Sequence, residues 1–246
     1  MSQLNFEGKD KETMAIERLR QYEPVDGYYL AFSGGKDSVV LYDLAVKSGV
    51  KFEAHYSLTT VDPPELVKFI RDYYPTVIWD RPAKTMWQLI ETNGLPYQAK
   101  RWCCRLLKES NGAGAILTGV RHEESENRSK RCVFENDHSS NERWFVNPII
   151  DWLTTEVWAY IKTGKLPYCQ LYDEGWERIG CLLCPLAKPA EKVIIVNKYP
   201  QIAKAYYNAF SRYQSKKDAS INPRLVFNRW LLKTPKPNKN QMGLFV

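Results

Sequence analysis

Ala31-Phe32-Ser33-Gly34-Gly35-Lys36-Asp37-Ser38 is the stretch from which the rest of the chain can be read. A short apolar run, Tyr28 to Phe32, precedes the glycines, and Val39, Val40, Leu41, Leu44 and Ala45 follow at helical spacing. The segment therefore reads as strand, glycine turn and helix. Such a turn aims backbone N–H groups at one point, where the helix N-terminus adds roughly half a positive charge. Gly34 and Gly35 let the backbone approach a ligand closely, Lys36 adds a full charge, and Ser33 and Ser38 add hydroxyl donors. All of this suits phosphate oxygens. It is not a Walker A loop, which needs glycine where Leu30 stands and serine or threonine where Asp37 stands. The residues point to a nucleotide site.

Composition narrows the class. A 246-residue chain is long enough for a sizeable core, and 44% hydrophobic with 26% charged residues suits a globular protein. No apolar run reaches membrane-spanning length, so no membrane partner is expected. Met1 to Glu7 carries no basic segment leading into an apolar one, so a cytoplasmic location is expected. In a reducing compartment the six cysteines are expected to be ligands, redox groups or core residues rather than disulfides. The net charge of +7 permits a polyanionic partner without requiring one.

Outward from the loop, strand and helix patterns alternate. A helix is expected over Lys11–Tyr22 and a strand over Phe52–Leu58, then a helix from Pro63-Pro64 to Tyr74. A strand over Val77–Trp79 and a helix over Lys84–Thr92 follow, then a helix over Lys100–Ser110 that carries Cys103-Cys104, and a strand over Ile116–Val120. Cys132–Glu135 and Trp144–Val146 read as a hairpin about the polar turn Asp137–Glu142, and Val193 to Val196 as a short core segment. Helices are expected from Thr154 or Thr155 to Lys162, over Tyr199–Lys217 and over Pro223–Lys233, with a loose tail from Thr234. The alternation predicts an α/β fold with a doubly wound, mainly parallel sheet and its ligand at the C-terminal strand ends. The simplest division is a nucleotide-binding domain over 1–150 and a cysteine-containing helical region over 151–246.

The loop resembles the SGGxDS pyrophosphate (PP) loop of the adenine-nucleotide alpha-hydrolase superfamily, and further stretches resemble its phosphoadenosine phosphosulfate (PAPS) reductase-like branch. Thr118-Gly119-Val120-Arg121-His122-Glu123-Glu124-Ser125 with Arg128 is similar to the GxRxxES…R signature. Asn147-Pro148-Ile149-Ile150-Asp151-Trp152, with Val157-Trp158 and Tyr160-Ile161, is similar to the family's next segment. Leu166-Pro167-Tyr168, Leu171-Tyr172-Asp173, Gly175 and Gly180-Cys181 resemble the one after that. The resemblance runs in family order from about residue 28 to 186. It implies a nucleotide contact set of Ser33, Gly34, Gly35, Lys36, Asp37, Ser38, Gly119, Arg121, Glu124 and Arg128, with Lys36, Asp37 and Arg121 catalytic. Arginine forks bind two phosphate or sulfate oxygens at once. Glu123 and Glu126 read as solvated.

Cys103-Cys104 and Cys181-Leu182-Leu183-Cys184 offer four thiolates, which can hold a [4Fe–4S] cluster or one zinc ion. An adjacent pair fits the zinc template poorly, and the pattern resembles that of the iron–sulfur sulfonucleotide reductases and the DNA phosphorothioation proteins. Cys132 and Cys169 read as core residues, His122 as an exposed neighbour of the arginine motif, and His55 and His138 are given no role.

Two departures from those reductases matter. Their nucleophile is a cysteine in a Glu-Cys-Gly-Leu-His motif near the C-terminus, whereas here Lys239 to Val246 contains no cysteine and none follows Cys184. The Ser33–Ser38 loop, in contrast, has the intact ATP-pyrophosphatase form. Thr59-Thr60-Val61-Asp62 also stands where the family tends to have Asp-Thr-Gly. The expectation is an ATP- and Mg²⁺-dependent enzyme that cleaves between the α- and β-phosphates, coupled to sulfur transfer onto an acceptor such as nucleic acid. A sulfur donor such as a cysteine desulfurase is the implied partner. Sulfonucleotide reduction, and a non-catalytic nucleotide-binding role in a defence or mobile-element complex, stand as alternatives.

Overall fold

The computed structural model describes residues 10–137 and 142–233. The tip of the polar turn at 138–141, with His138, the first nine residues and the tail from Thr234 lie outside them. The described chain groups into two compact units. One comprises Met1–Leu58, Pro63–Arg81 and Glu109–Gly180, and the other Thr59–Asp62, Pro82–Lys108 and Cys181–Val246. Each is thus assembled from three segments, whereas a sequence reading naturally draws one boundary near residue 150.

The first unit is built on six strands: β1 (Tyr28–Ala31), β2 (Phe52–Ser57), β3 (Ile78–Asp80), β4 (Gly114–Leu117), β5 (Phe134–Asn136) and β6 (Arg143–Val146). Their order in the sheet is β3-β2-β1-β4-β6-β5. All neighbours pair in parallel except β5 and β6, which form the antiparallel hairpin at one edge. Helices α1 (Lys11–Gln21), α2 (Lys36–Ser48), α3 (Pro64–Tyr73) and α7 (Thr154–Thr163) belong to this unit. Leu30, Val39, Leu41, Leu44, Leu117, Val157 and Ile161 are fully buried in its core. The expected doubly wound sheet is the one observed. Chain order runs outward from β1 to β2 and β3, then returns to place β4 on the other side of β1. The switch point therefore opens at the C-terminal ends of β1 and β4, where a ligand crevice is expected.

The second unit contains α4 (Met86–Asn93), α5 (Trp102–Leu107), α8 (Pro189–Lys198), α9 (Pro200–Lys217) and α10 (Pro223–Leu232). Thr85 starts α4 with a reciprocal capping box to Gln88, which satisfies two otherwise unpaired N–H groups. Met86 and Ile90 bury the apolar side of that helix, and Tyr206, Phe210, Phe227 and Trp230 bury those of α9 and α10. Val193 to Val196 is not the short core segment the sequence suggested. It belongs to α8, where Val193 and Ile194 are exposed and Ile195 is buried. Pro189 at the helix start and Glu191 reaching back to the Lys188 N–H initiate the turn, signals that a four-residue apolar run conceals.

Candidate nucleotide site and cysteine cavity

In the first unit, the loop leaves β1 and becomes α2 within four residues. Gly35 is the N-cap of α2 with no side-chain cap, so the amides of Asp37 and Ser38 stay available to a ligand, while that of Lys36 is taken by the Tyr172 hydroxyl. Gly34 has φ +70°, and a Cβ there would lie 2.7 Å from Leu66 Cδ1 and 2.8 Å from Ile70 Cδ1. The turn therefore requires glycine at that position. The two serines hold the loop closed. Ser38 Oγ accepts from Ser33 N (3.2 Å) and donates to the Gly35 carbonyl (2.8 Å), while Ser33 Oγ accepts from Gly35 N at 3.3 Å. Both serine hydroxyls are thus shaping groups as well as donors.

Lys36 is buried, 6% exposed, and its Nζ donates to Asp37 Oδ2 at 3.1 Å. Its backbone N–H donates to the Tyr172 hydroxyl at 2.9 Å, with the Lys36 Nζ 5.9 Å from the centre of that ring. Burial, the leading effect, pushes the Tyr172 hydroxyl's pKa up, so it stays protonated. Asp37 Oδ1 accepts from Arg121 Nε at 2.7 Å. Gly119 makes this approach possible, since a Cβ there would stand 3.1 Å from the Asp37 carbonyl.

Arg121 is 1% exposed and turned inward. Besides Asp37, its fork donates to Glu123 Oε2 (2.9 Å), the Trp152 carbonyl (3.0 Å) and Thr154 Oγ1 (3.1 Å). With five donors in a guanidinium, one N–H remains after these four bonds. The geometry makes Arg121 the strut that fixes Asp37. Glu123, read from sequence as solvated, accepts from the Thr154 N–H (2.6 Å) and hydroxyl (2.8 Å) and so caps α7 from another segment. Those bonds, with Arg121 behind them, hold its carboxyl below the usual range. Glu124 accepts from the Arg121 N–H at 3.1 Å and pairs with Arg128. Burial lowers the Arg128 pKa, and the nearby guanidinium groups of Arg178, Arg131 and Arg121 lower it further. A gathering of like charges of this kind suits an anion. Arg178 was not singled out by the sequence reading, although it lies between Gly175 and Gly180 in a segment matching the family pattern. His122 is half-buried rather than exposed, with its ring bonded to the Arg131 carbonyl at 2.8 Å.

In the second unit, Cys103, Cys104, Cys181 and Cys184 line one small cavity of about 20 Å³ with Thr59, Lys108 and Tyr206. All six cysteines are free of disulfides. A tight turn carries the second pair: Cys184 N donates to the Cys181 carbonyl (3.3 Å) and Leu183 adopts φ +57°. Leu182 N donates to the Val61 carbonyl at 2.8 Å, and Cys181 Sγ lies 3.5 Å from Thr59 Oγ1. The Thr59–Asp62 segment is thereby part of the cysteine cavity's own unit. The hydrogen bond that the Cys103 thiol makes to Cys104, then burial, pushes its pKa up, and burial raises that of Cys181 against the pull of Lys108. Lys108 is exposed, and Cys181 chiefly stabilises its charge, raising its pKa. Among the described residues, no three His, Cys, Asp or Glu side chains converge closely enough to bind one metal ion as they stand. The donor set nonetheless fits a thiolate-held group: four sulfurs face one cavity, with a lysine beside them to offset negative charge. Cys169 is buried as expected, whereas Cys132 is exposed, between the α6 helix (Glu126–Ser129) and the edge strand β5.

The phosphoadenosine phosphosulfate reductase domain profile matches residues 27–187. Two uncharacterised proteins of Methanocaldococcus jannaschii are each 30% identical, over 76% and 84% of this chain but 42% and 52% of their own lengths. The chain therefore spans about half of those relatives. An adenosine 5'-phosphosulfate reductase of Shouchella clausii is 29% identical over 75% of this chain and 81% of its own. A phosphoadenylyl-sulfate reductase of Candida auris, solved as a phosphate complex, superimposes with a TM-score of 0.54 at 22% identity, covering 73% of this chain and 96% of that one. That likeness supports the fold.

Proposed function

We propose that this chain, which belongs to the phosphoadenosine phosphosulfate reductase domain family, holds the pyrophosphate of ATP and catalyses cleavage between the α- and β-phosphates. The observation that carries the reading is the intact Ser33–Ser38 loop, with buried Lys36 and an uncapped α2 N-terminus at the β1–β4 switch point. The loop amides and the Lys36 ammonium stabilise the charge that develops on departing pyrophosphate. Arg128 and Arg178 supply further positive charge for the phosphates. Asp37 fits a role beside Mg²⁺: a carboxylate has about four lone-pair positions, and Arg121 and Lys36 take one on each oxygen. Mg²⁺, when bound, would screen the phosphate charge.

The finer part of the proposal concerns the acceptor. An acceptor oxygen attacks the α-phosphorus, pyrophosphate leaves, and a sulfur nucleophile then displaces AMP at the adenylated carbon or phosphorus. The attacking atom is the outer sulfur of a persulfide-carrying donor, such as a cysteine desulfurase, and its attack leaves donor and acceptor joined by an S–S bond. An external thiol breaks that bond by forming a disulfide with the donor cysteine and releases the thiolated acceptor, here proposed to be nucleic acid. Cys103, Cys104, Cys181 and Cys184 would hold the [4Fe–4S] cluster, with zinc as the alternative. When bound, a cluster would supply a sulfur-binding or electron-carrying centre. A second reading, sulfonucleotide reduction, is favoured by the Shouchella clausii relative.

Calorimetry on anaerobically prepared protein tests the nucleotide assignment. ATP with Mg²⁺ should bind, and Lys36→Ala should weaken the affinity at least tenfold. Equal ATP affinity in the two proteins would remove the assignment.

A further inference from the structure

A larger cavity lies within the second unit and shares Pro185 with the four-thiol lining. Its volume is about 290 Å³, close to the lower bound of about 300 Å³ for pockets that hold small ligands. Three cations border it: Lys192, Arg229 and Lys233, and among the described residues none of them forms an ion pair. Lys192 is the deep one. It is 1% exposed, its Nζ donates to the Trp230 carbonyl at 3.2 Å, and it stands 4.2 Å from the Trp230 ring centre. An ammonium has three donors, so this one hydrogen bond leaves two uncommitted in a place from which water is largely excluded.

The remaining wall is aromatic and amide. Trp230 is fixed: its indole N–H donates to the Pro96 carbonyl at 2.6 Å and its ring stacks on Tyr206. Tyr97 is 50% exposed at the rim, in a turn closed by its own hydrogen bonds to Lys100, and Gln98 follows it. A buried cation with spare donors, two further cations, an open aromatic face and a side-chain amide match the parts of one ligand class. Cations bind a phosphate, a tyrosine face stacks a base, and an amide reads a base edge. Among the described residues, no carboxylate lines the cavity to repel an anion.

We infer that this cavity is a second nucleotide site, which takes one phosphate-bearing nucleotide with Lys192 and Arg229 on the phosphate and Tyr97 against the base. Two sources share that chemistry, a free mononucleotide and one unit of a single strand. Pro185 lines this cavity and the four-thiol cavity alike, so a nucleotide held here sits beside the cysteines. The link to sulfur transfer rests on the acceptor proposed above; the binding claim does not.

The test uses the full, anaerobically prepared protein in the Lys36→Ala background, so that the loop site does not contribute. Fluorescence anisotropy follows a labelled twelve-residue oligothymidylate, with thymidine 5'-monophosphate and inorganic phosphate as competitors. Arg229→Ala and Tyr97→Ala, both at the surface, should each weaken binding about tenfold, and Arg229→Ala should also reduce the salt dependence by about one counterion. Lys192→Met reads the deep cation, and the two surface variants still decide the matter if it fails to fold. Monophosphate competing as well as the oligonucleotide identifies a free nucleotide as the ligand; a far tighter oligonucleotide identifies a strand. No binding, binding unchanged in both surface variants, or phosphate competing as well as the monophosphate would each overturn the inference. ATP affinity, measured separately with Lys36 intact, shows whether the loop assignment stands or falls on its own.

Discussion

Gly34 and Lys36 divide the loop's work between shape and charge. Gly34→Ala adds a side chain to a left-handed residue and drives its Cβ into Leu66 and Ile70. The left-handed conformation alone costs about 1–2 kcal/mol, so the melting temperature should fall by at least about 2 °C. An unchanged melting temperature would mean that the loop can rearrange. Lys36→Ala should instead leave melting nearly intact and act on nucleotide affinity. The sequence made these roles legible because both depend on the local order Ser-Gly-Gly-Lys-Asp-Ser. Arg121 was legible as important but not in its orientation. Its fork is committed to Asp37, Glu123, Trp152 and Thr154, partners up to 84 positions away. Arg178 was missed for the same reason, since only the folded chain brings its charge near Arg128.

Helices α1 and α7 are tied to the sheet by charges that no local pattern announces. Arg18 of α1 donates to both carboxylate oxygens of Asp151, at 2.7 and 3.1 Å, and to the Pro148 carbonyl. Burial alone would raise the Asp151 pKa, but the Arg18 bonds prevail and lower it. A lowered folded-state pKa gives stability that is present above the unfolded value near 3.9 and lost as pH falls through the folded one. Asp151→Asn should therefore lower the melting temperature near pH 7, with the gap to wild type closing below about pH 4. A gap that does not change with pH would show that the pairing contributes no such linkage. Glu123→Gln should remove the negative charge at the start of α7 and cost roughly 0.3–1 kcal/mol, read by urea unfolding. Strands and long amphipathic helices were legible from periodicity. Helix α8 was not, because its apolar run is split between buried Ile195 and exposed Val193 and Ile194.

At the scale of the molecule, the Ser33–Ser38 loop and the four clustered cysteines fall in separate compact units. The separation explains why a single boundary near residue 150 misses the division: Pro82–Lys108 leaves the first unit after β3 and brings Cys103 and Cys104 into the unit that contains Cys181 and Cys184. Serine in place of any of those four cysteines should lower the iron content of anaerobically prepared protein while leaving ATP affinity within about twofold. Cys132→Ser and Cys169→Ser should leave the iron unchanged. Stoichiometric zinc without iron would replace the cluster by the zinc alternative. The central claim, cleavage of ATP between its α- and β-phosphates, is tested most directly by following ATP labelled at the α-phosphorus. The reaction contains Mg²⁺, a persulfide donor and total cellular nucleic acid. The account predicts labelled AMP with equimolar pyrophosphate, both lost in Lys36→Ala. Label appearing in ADP, or sulfite released from adenosine phosphosulfate while ATP stays intact, would contradict it.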